Sequence, residues 1–358
     1  MLFSYIYVPH QMEKMQEFID FIFHEVWCKA PIGLTFHPDL FQGNPELKAI
    51  MVEFGFSAGA PDAGKAFYKE VKIIYEFFTS LSQQAIDQFK QWYQGNNDIE
   101  KVCANDPAIQ LARYKDIAVN HGALVDDLSK FFKNLYSRVS LAALCAKIGD
   151  IDNHYKTFMH INKTGKCPFC GINDLLGEHH SKREAYDHYL PKALYPFNSI
   201  NFRNLVPACH HCNSSYKTSK DPTFTPKDPA RSVQRRAVFY PYKTEEHSIE
   251  LKVELQHSDM DKLVPADIRL QFGPDAIADK IDTWKDVYGI EERYKAKLCE
   301  ENDGKYWLQQ VLEEGQAYDK KPAEILAMRS QQAQSRPYAD CNFLRKPFLD
   351  ACHQIGIF

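Results

Sequence analysis

Four cysteines form two short pairs near the middle of the chain, Cys167 with Cys170 and Cys209 with Cys212. Each pair has the Cys-x-x-Cys spacing that directs two thiolates at one metal ion, and two such pairs supply the four ligands of a tetrahedral zinc. Zinc bound in this way stabilises a segment that is too short to bury its own core. The spacing therefore predicts a structural Zn²⁺ site at these four cysteines.

The segment around the two cysteine pairs contains further residues that can do chemistry. Zinc ribbons usually separate their pairs by roughly 15–20 residues, whereas here the separation is about twice as long. The long insert contains the neighbours Asp187 and His188, and the second pair is followed by Asn213 and Lys217. A turn that needs only zinc has no use for these residues in this order, so they predict a second site, one that acts on phosphate groups.

The basic charge of the chain is concentrated around the same residues. The length of 358 residues suits a protein of two or three units with a sizeable core. The formal net charge of the whole chain is only −4. Residues 163–243 contain 13 Lys and Arg against 6 Asp and Glu. This asymmetry predicts nucleic acid as a partner. The alternative is a chance cluster on a solvated face.

The remaining cysteines and the hydropathy indicate the compartment. Six cysteines are scattered singly, mostly in apolar helical patterns, and buried thiols explain them. The start of the chain lacks the basic residues of a secretory leader. Nor does any apolar run reach the roughly 20 residues needed to cross a bilayer. We expect a cytoplasmic protein in a reducing compartment, with no membrane association.

The hydrophobic periodicity divides the chain into three parts. Residues 1–162 have the 3.6-residue period of helices, and residues 163–243 lose it. Residues 244–358 combine alternating strand patterns at 249–255 and 268–272 with a return to helix from residue 276. The predicted fold class is α+β: a mainly helical protein with a helical N-terminal domain, a central zinc-stapled module, and a C-terminal domain of a β-hairpin and helices.

One short motif in the helical half fits a phosphate-binding loop by its letters alone. Residues 59–65 match the G-x-x-x-x-G-K pattern, but the next residue is Ala66 instead of the Ser or Thr that binds magnesium. No strand pattern precedes the segment convincingly. A turn that enters the helix of Phe67 is the better interpretation, and nucleotide binding is the alternative.

Three sequence runs together resemble the HNH nucleases, also called ββα-metal or His-Me finger enzymes. The runs are residues 187–192 (Asp-His-Tyr-Leu-Pro-Lys), residues 204–207 (Asn-Leu-Val-Pro) and residues 209–217, which begin Cys-His-His-Cys-Asn and end in Lys. The resemblance covers roughly residues 167–220 and does not extend into the flanks. It implies a ββα-metal module and a metal-dependent endonuclease that hydrolyses phosphodiester bonds of nucleic acids.

The resemblance implies a role for each residue. Asp187 and Asn213 would provide oxygen ligands to a catalytic Mg²⁺ or Mn²⁺. His188 would be the general base, since its ordinary pKa is near neutrality. On a regular strand neighbouring side chains point to opposite faces, so both residues can serve one site only if the backbone bends. Asn204 would brace the loop that carries the base, and Lys217 would contact a phosphate oxygen.

Several other residues near the motif leave alternatives open. The last ligand in the family is often His, so Asn213 implies loose metal binding. Glu178, His179 and His180 could add a ligand or a phosphate contact, although loop histidines are more often solvated. Two histidines inside the second pair could compete as zinc ligands, but the four cysteines already complete the zinc shell. Further phosphate contacts are expected from basic residues near the site: Lys192, Arg203, Lys217, Arg235 and Arg236.

A narrower resemblance concerns residues 186–192 and 284–294, which are similar to the nuclease subunit of Septu-type anti-phage systems. That subunit acts with a separate ATPase, so the resemblance implies an ATPase partner and a role in antiviral defence. Of the two nucleic acids, DNA is expected as the target more than RNA. Two alternatives remain. One is a nuclease for structured RNA, because metal and base are indifferent to the sugar unless the 2′-hydroxyl is read. The other is a catalytically silent zinc module that binds nucleic acid or a protein partner.

Overall fold

The computed structural model describes residues 1–228, 232–243 and 247–358. Within these residues the protein is mainly helical, as the periodicity predicts, and it contains two separate two-stranded antiparallel sheets. The helices of the first half are α1 (Lys14–Phe21), α2 (Pro45–Phe56), α3 (Asp62–Phe78), α4 (Gln83–Asn97), α5 (Ile99–Cys103), α6 (Tyr114–Arg138), α7 (Ala142–Ile148) and α8 (Ile151–Ile161). The helices of the last part are α9 (Ala278–Tyr288), α10 (Ile290–Cys299), α11 (Tyr306–Ala317), α12 (Pro322–Ser335) and α13 (Asn342–Gln354). Short π-helical turns cover Ile22–Trp27, His211–Lys217 and Glu301–Lys305.

Helices α3 and α6 pack aromatic side chains around Trp27, with Phe78 from α3 and Phe131 and Phe132 from α6. The Trp27 indole Nε1 donates to the Val71 carbonyl at 3.0 Å, which satisfies the one polar atom of this fully buried side chain. A buried ion pair between Glu70 and Arg138, with 2.6 Å between Oε2 and Nη1, joins α3 to α6. These contacts fix the position of α6. The same helix covers the candidate catalytic residues.

The segment that fits the phosphate-loop pattern forms a helix start instead. Pro61 precedes α3, and Gly64 lies inside the first turn of that helix. A Cβ on Gly64 would lie 2.6 Å from the Phe54 ring, so the glycine allows α2 and α3 to approach each other. This packing agrees with a turn entering the Phe67 helix.

Two short hairpins provide the β-structure. Strands β1 (Tyr186–His188) and β2 (Leu205–Pro207) pair with Asp187 opposite Val206, and the turn His211–Lys217 follows them. Strands β3 (Glu250–Leu255) and β4 (Ile268–Gly273) form the second hairpin, with Val253 opposite Leu270. The alternation that predicted the second hairpin places its apolar side chains inward, because successive strand residues face opposite sides.

One continuous apolar core runs through all three predicted parts. Tyr5 forms a parallel bridge with Tyr242, and the Leu2 amide donates to the Pro168 carbonyl at 2.8 Å. The beginning of the chain therefore packs on the central segment. The predicted start of the C-terminal domain, residue 244, lies outside the described residues, and the three-part division stays a prediction. No helix in the described part of the chain is both long and apolar enough to span a bilayer.

Candidate metal centre and catalytic site

Cys167, Cys170, Cys209 and Cys212 lie together in the folded chain. Their four sulfur atoms are all within 4.8 Å of one another, and all four residues are buried. Tetrahedral zinc with Zn–S bonds of about 2.3 Å brings its sulfurs to slightly under 4 Å, and Cys170 Sγ lies 3.9 Å from Cys209 Sγ. The donor set therefore fits a structural zinc ion, and this cluster could bind one.

An arginine from the C-terminal helices touches the cluster. Arg293 on α10 donates from Nη1 to Cys212 Sγ at 3.2 Å and from Nη2 to Asn173 Oδ1 at 3.1 Å. Asn173 Oδ1 in turn lies 3.6 Å from Cys170 Sγ and 3.8 Å from Cys209 Sγ. With Zn²⁺ bound, four thiolates would leave a net charge of −2, and the half-buried Arg293 guanidinium beside them would offset part of that charge.

The loop of the first cysteine pair contacts the beginning of the chain and helices α9 and α10. Trp284 Nε1 donates to the Phe169 carbonyl at 2.6 Å, and the Tyr294 hydroxyl donates to the Cys170 carbonyl at 2.9 Å. Gly171 has φ +67°, and a Cβ there would lie 2.3 Å from Leu2 Cδ1. The loop thus needs glycine both for its backbone conformation and for the close approach of Leu2.

Asp187 is buried at the centre of β1, and its carboxylate faces Lys217. Lys217 Nζ donates to Asp187 Oδ1 at 2.9 Å and to the His188 carbonyl at 2.8 Å. Asp187 Oδ2 is also buried and has no hydrogen-bond partner among the described residues. Burial raises the pKa of Asp187, and the adjacent ammonium opposes that rise. A buried carboxylate oxygen without a partner is costly, which makes it a natural position for a cation.

The His188 ring is held in one orientation by the loop after β1. Its Nε2 lies 2.9 Å from the Ser199 carbonyl, which can only accept, so in the neutral ring Nε2 carries the proton. The lone pair is therefore on Nδ1, which has no hydrogen-bond partner among the described residues. The Tyr136 ring from α6 packs edge-on against the imidazole, with 5.0 Å between centroids. Burial, aided by the charges of Lys192 and Lys217, lowers the pKa of His188 to about 3. In this closed site the ring is therefore unprotonated at neutral pH, but it is a weaker base than the ordinary histidine that the sequence predicted.

Asn204 is fully buried and ties the loop 190–203 closed. Its Oδ1 accepts from the Leu190 amide at 2.7 Å, and its Nδ2 donates to the carbonyls of Leu190 at 3.1 Å and Asn198 at 3.2 Å. Asn198 is followed by Ser199, whose carbonyl orients His188. The hydrogen bonds of Asn204 thus brace the loop that sets the His188 ring, and its catalytic relevance stays a prediction.

Asn213 lies in the π-helical turn that ends at Lys217. The Thr218 amide donates to the Asn213 carbonyl at 2.9 Å, an i to i+5 bond. With more than four residues per turn, positions 213 and 217 share one face of this turn, and Lys217 on that face reaches Asp187. No hydrogen bond joins the Asn213 side chain to Asp187 or His188, and none joins the Asp187 and His188 side chains.

The buried position of Lys217 differs from the solvent-facing phosphate contact expected of it. The hydrocarbon chain is enclosed and the ammonium is paired, so a contact with phosphate would require it to leave Asp187. Arg235 is also turned inward, with its guanidinium on the carbonyls of residues 102, 106 and 109. Arg236 pairs with Asp286 at 2.7 Å, and Lys192 Nζ donates to the Lys133 carbonyl at 3.0 Å.

The other histidines of the motif lie on the surface. His179 is 93% exposed, and Glu178 beside it pairs with His160, with 2.7 Å between Oε2 and Nδ1. The His180 ring Nδ1 lies 3.2 Å from the Gly177 carbonyl. Both histidines inside the second cysteine pair are exposed, and the four-ligand cluster in the described residues consists of cysteines alone.

Three residues of the site carry no signal in the sequence. Ser199 acts through its carbonyl, which every residue has, so its side chain gives no indication of the role. Tyr136 and Arg293 lie 52 residues before and 81 residues after the groups that they contact, His188 and Cys212. Arg293 lies within the segment from Trp284 to Tyr294, which has the narrower resemblance, but that resemblance assigned no role to Arg293 itself.

The fold and the site define a mainly helical protein with a buried four-cysteine cluster that could bind zinc. Over 103 residues the chain is 29% identical to the Septu protein PtuB of Bacillus thuringiensis. The matched residues make up 28% of this chain and 39% of that protein. The match thus spans about two fifths of the length of that relative. No protein-family model and no solved structure matches the chain.

Proposed function

We propose that this protein is a metal-dependent endonuclease of the HNH class. The observation that carries the proposal is the pairing of an oriented, unprotonated His188 with the neighbouring buried Asp187, whose Oδ2 lacks a partner. They lie on a two-stranded hairpin followed by a short helix, which is the order of elements that the HNH resemblance implies.

The residues present fit a hard divalent cation. Asp187 Oδ2 is an unpaired anionic oxygen, and the Asn213 amide lies on the face of the turn that approaches Asp187. Mg²⁺ and Mn²⁺ prefer such oxygen ligands and keep several waters when few protein groups bind them. When bound there, the ion would neutralise the charge that develops on the phosphate and the leaving oxygen.

The chain's own residues supply the remaining chemistry. His188 Nδ1 takes a proton from the attacking water, whose oxygen bonds to phosphorus while the bond to the leaving oxygen breaks and that oxygen takes up a proton from solvent. The Ser199 carbonyl holds the imidazole by Nε2–H, so the base keeps its orientation. Asn204 keeps the loop of Ser199 closed, and the zinc-bound cysteines would hold the hairpin against the turn that carries Asn213 and Lys217.

We also propose a place for the activity in anti-phage defence. The support is the local similarity to the Septu protein PtuB, together with the resemblance of residues 186–192 and 284–294 to the Septu nuclease subunit. On this proposal the nuclease acts with an ATPase partner, which positions or releases the Asp187 and His188 site. The packing of Tyr136 on His188 agrees with a site that is closed in the isolated chain.

The proposal is tested by incubating the purified protein with DNA and with total RNA in Mg²⁺ or Mn²⁺, with and without a candidate ATPase. The expected result is metal-dependent cleavage that His188→Ala removes and that the partner increases. Cleavage of RNA alone would retain the HNH chemistry and correct the substrate. Nucleic-acid binding without cleavage under every condition would favour the silent zinc module instead.

A further inference from the structure

A cavity of about 550 Å³ has a lining that contains none of the candidate catalytic residues. It is lined by the start of α6, by Ala193 and Leu194, by described residues after the short turn (220, 221, 224–227, 233 and 236), and by Asp286 on α9. Its residues do not include Asp187, His188 or the phosphate-loop-like segment 59–65. Its volume is that of a small-molecule site.

The wall of the cavity combines an aromatic ring with a guanidinium. The Arg113 guanidinium lies over the Phe224 ring, with 3.6 Å from Cζ to the ring centroid. Arg113 is held by Asp116 at 3.4 Å and Asp221 at 3.5 Å, and Phe224 is paired with Arg235 in an antiparallel bridge. Both members of the stack are thus fixed before any ligand enters. Leu194, Pro226 and Val233 add apolar surface beside them.

The rim of the cavity is basic. Five lining residues are Lys or Arg and two are Asp. Arg113 and Arg236 are paired with carboxylates. Lys115, Lys220 and Lys227 are exposed and have no ion-pair partner in the described part of the chain. Free lysines around an apolar slot with a planar stack suit a ligand that is flat at one end and anionic at the other.

We propose that this cavity binds a nucleotide, with the base against the Phe224–Arg113 stack and the phosphate at the lysines. An unpaired nucleotide of a polynucleotide and a free nucleotide both have this chemistry. Base pairs in a duplex cannot enter, because their bases are stacked between neighbours. The cavity shares two chain segments with the candidate site: Lys220 follows Lys217 by three residues, and Ala193 follows Lys192.

Binding is measured without added Mg²⁺ or Mn²⁺, so that the result does not depend on cleavage and is independent of the proposed activity. The full-length protein is titrated with a fluorescent single-stranded 12-nucleotide DNA, with the same sequence as a blunt duplex, and with ATP and GTP. Phe224→Ala should weaken binding of the single strand roughly 5- to 150-fold, which is the range for losing one stacked base. Its effect on the duplex should be negligible.

The matched controls make the same changes elsewhere. Phe56→Ala deletes an exposed phenylalanine on α2, and Lys72→Glu reverses the charge of an exposed lysine on α3. If Phe224→Ala fails to fold, Lys220→Glu and Lys227→Glu at the exposed rim replace it, with zinc content as the check on folding. These two should weaken single-strand binding and reduce its dependence on salt.

Each result decides the inference. Single-strand binding that Phe224→Ala weakens identifies a polynucleotide as the source of the nucleotide, and ATP or GTP binding with the same dependence identifies a free nucleotide. Equal binding by native protein, Phe224→Ala and the two lysine variants, or no binding in any arm, overturns the inference. Neither of these failures bears on whether His188 cleaves.

Discussion

The Lys217 ammonium lies 2.9 Å from Asp187 Oδ1, with both side chains shielded from solvent. Charges in such a pair are stabilised chiefly by each other, because neither is hydrated. The second Asp187 oxygen stays without a partner, so this carboxylate is only half satisfied by the chain itself. The pair therefore stabilises the β1–β2 hairpin and is also part of the candidate site.

Lys217→Met should lower the free energy of unfolding by about 3–5 kcal/mol, since it leaves the Asp187 charge buried and alone. The double variant Asp187→Asn, Lys217→Met should lose less than the single variant, because no charge is then isolated. Urea denaturation followed by tryptophan fluorescence measures both. A single variant as stable as the native protein would show that the two groups are not buried together.

His188→Ala should reduce cleavage by roughly 10²- to 10⁴-fold, which is the usual contribution of a general base. Folding and zinc content should not change, because the imidazole makes one hydrogen bond to a loop carbonyl. The rate is compared with that of His37→Ala, an exposed histidine before α2. Turnover by His188→Ala close to that of His37→Ala would remove His188 from the role of base.

Asn213→Ala should raise the Mn²⁺ concentration for half-maximal cleavage by at least roughly tenfold, since even outer-shell groups change metal affinity 10- to 100-fold. Asp187→Ala should abolish saturation altogether. The exposed Asn153 on α8 provides the control, Asn153→Ala, which should titrate as the native protein does. Identical metal titrations for all the proteins would exclude both residues as ligands.

Arg293→Gln should weaken zinc binding roughly 10- to 100-fold, because it removes the cation beside Cys212. Release of zinc to a chromogenic chelator gives the measurement. Arg269→Gln on the exposed face of β4 is the matched control and should release zinc at the native rate. Cys209→Ser, which removes a ligand, should yield insoluble or protease-sensitive protein, and active protein free of zinc would refute the zinc site itself.

His154 should make the protein less stable in mild acid. Burial, with a smaller contribution from His10, lowers the pKa of His154 from 6.5 to about 4. Because the unfolded chain binds the proton first, stability is lost as pH falls from about 6.5 towards 4. This one group should cost about 2 kcal/mol between pH 7 and pH 5.

The measurement is the pH dependence of unfolding in urea for the native protein and His154→Gln. The variant will be less stable at pH 7, since the ring contacts the Val8 carbonyl and Tyr186 hydroxyl. Its decline between pH 7 and pH 5 should nevertheless be shallower, and the difference between the slopes isolates His154 from the acid sensitivity of zinc ligands. Parallel slopes would contradict the lowered pKa.

Local patterns predicted the elements well where one face of each element is buried. The alternation through residues 249–255 predicted the second hairpin, in which Val253 and Leu255 are buried, and the helical period of residues 1–162 predicted the helices that bury Met15 and Phe18. Cysteine spacing likewise predicted the cluster, because zinc ligation imposes a pattern on adjacent residues.

Contacts between distant segments left no such pattern. Nothing in the local sequence of Arg293 distinguishes it from a solvated charge on a helix, and a burial pattern alone cannot reveal that Lys217 turns inward to Asp187. The orientation of His188 depends on a main-chain carbonyl, which sequence reading cannot detect. Fold class was accessible from periodicity, whereas the electrostatics of the site required the folded chain.

The contact of Arg293 with the cysteine cluster can form only late in the synthesis of the chain. Arg293 is 76 residues beyond Lys217, the last residue of the candidate site. At about 5–20 residues per second, the ribosome needs roughly 4–15 s to cover that distance. During that interval the nascent chain has all the candidate catalytic residues but lacks the helix whose Arg293 contacts the cysteine cluster. Newly made protein thus passes through a stage in which the proposed nuclease is present but not yet assembled.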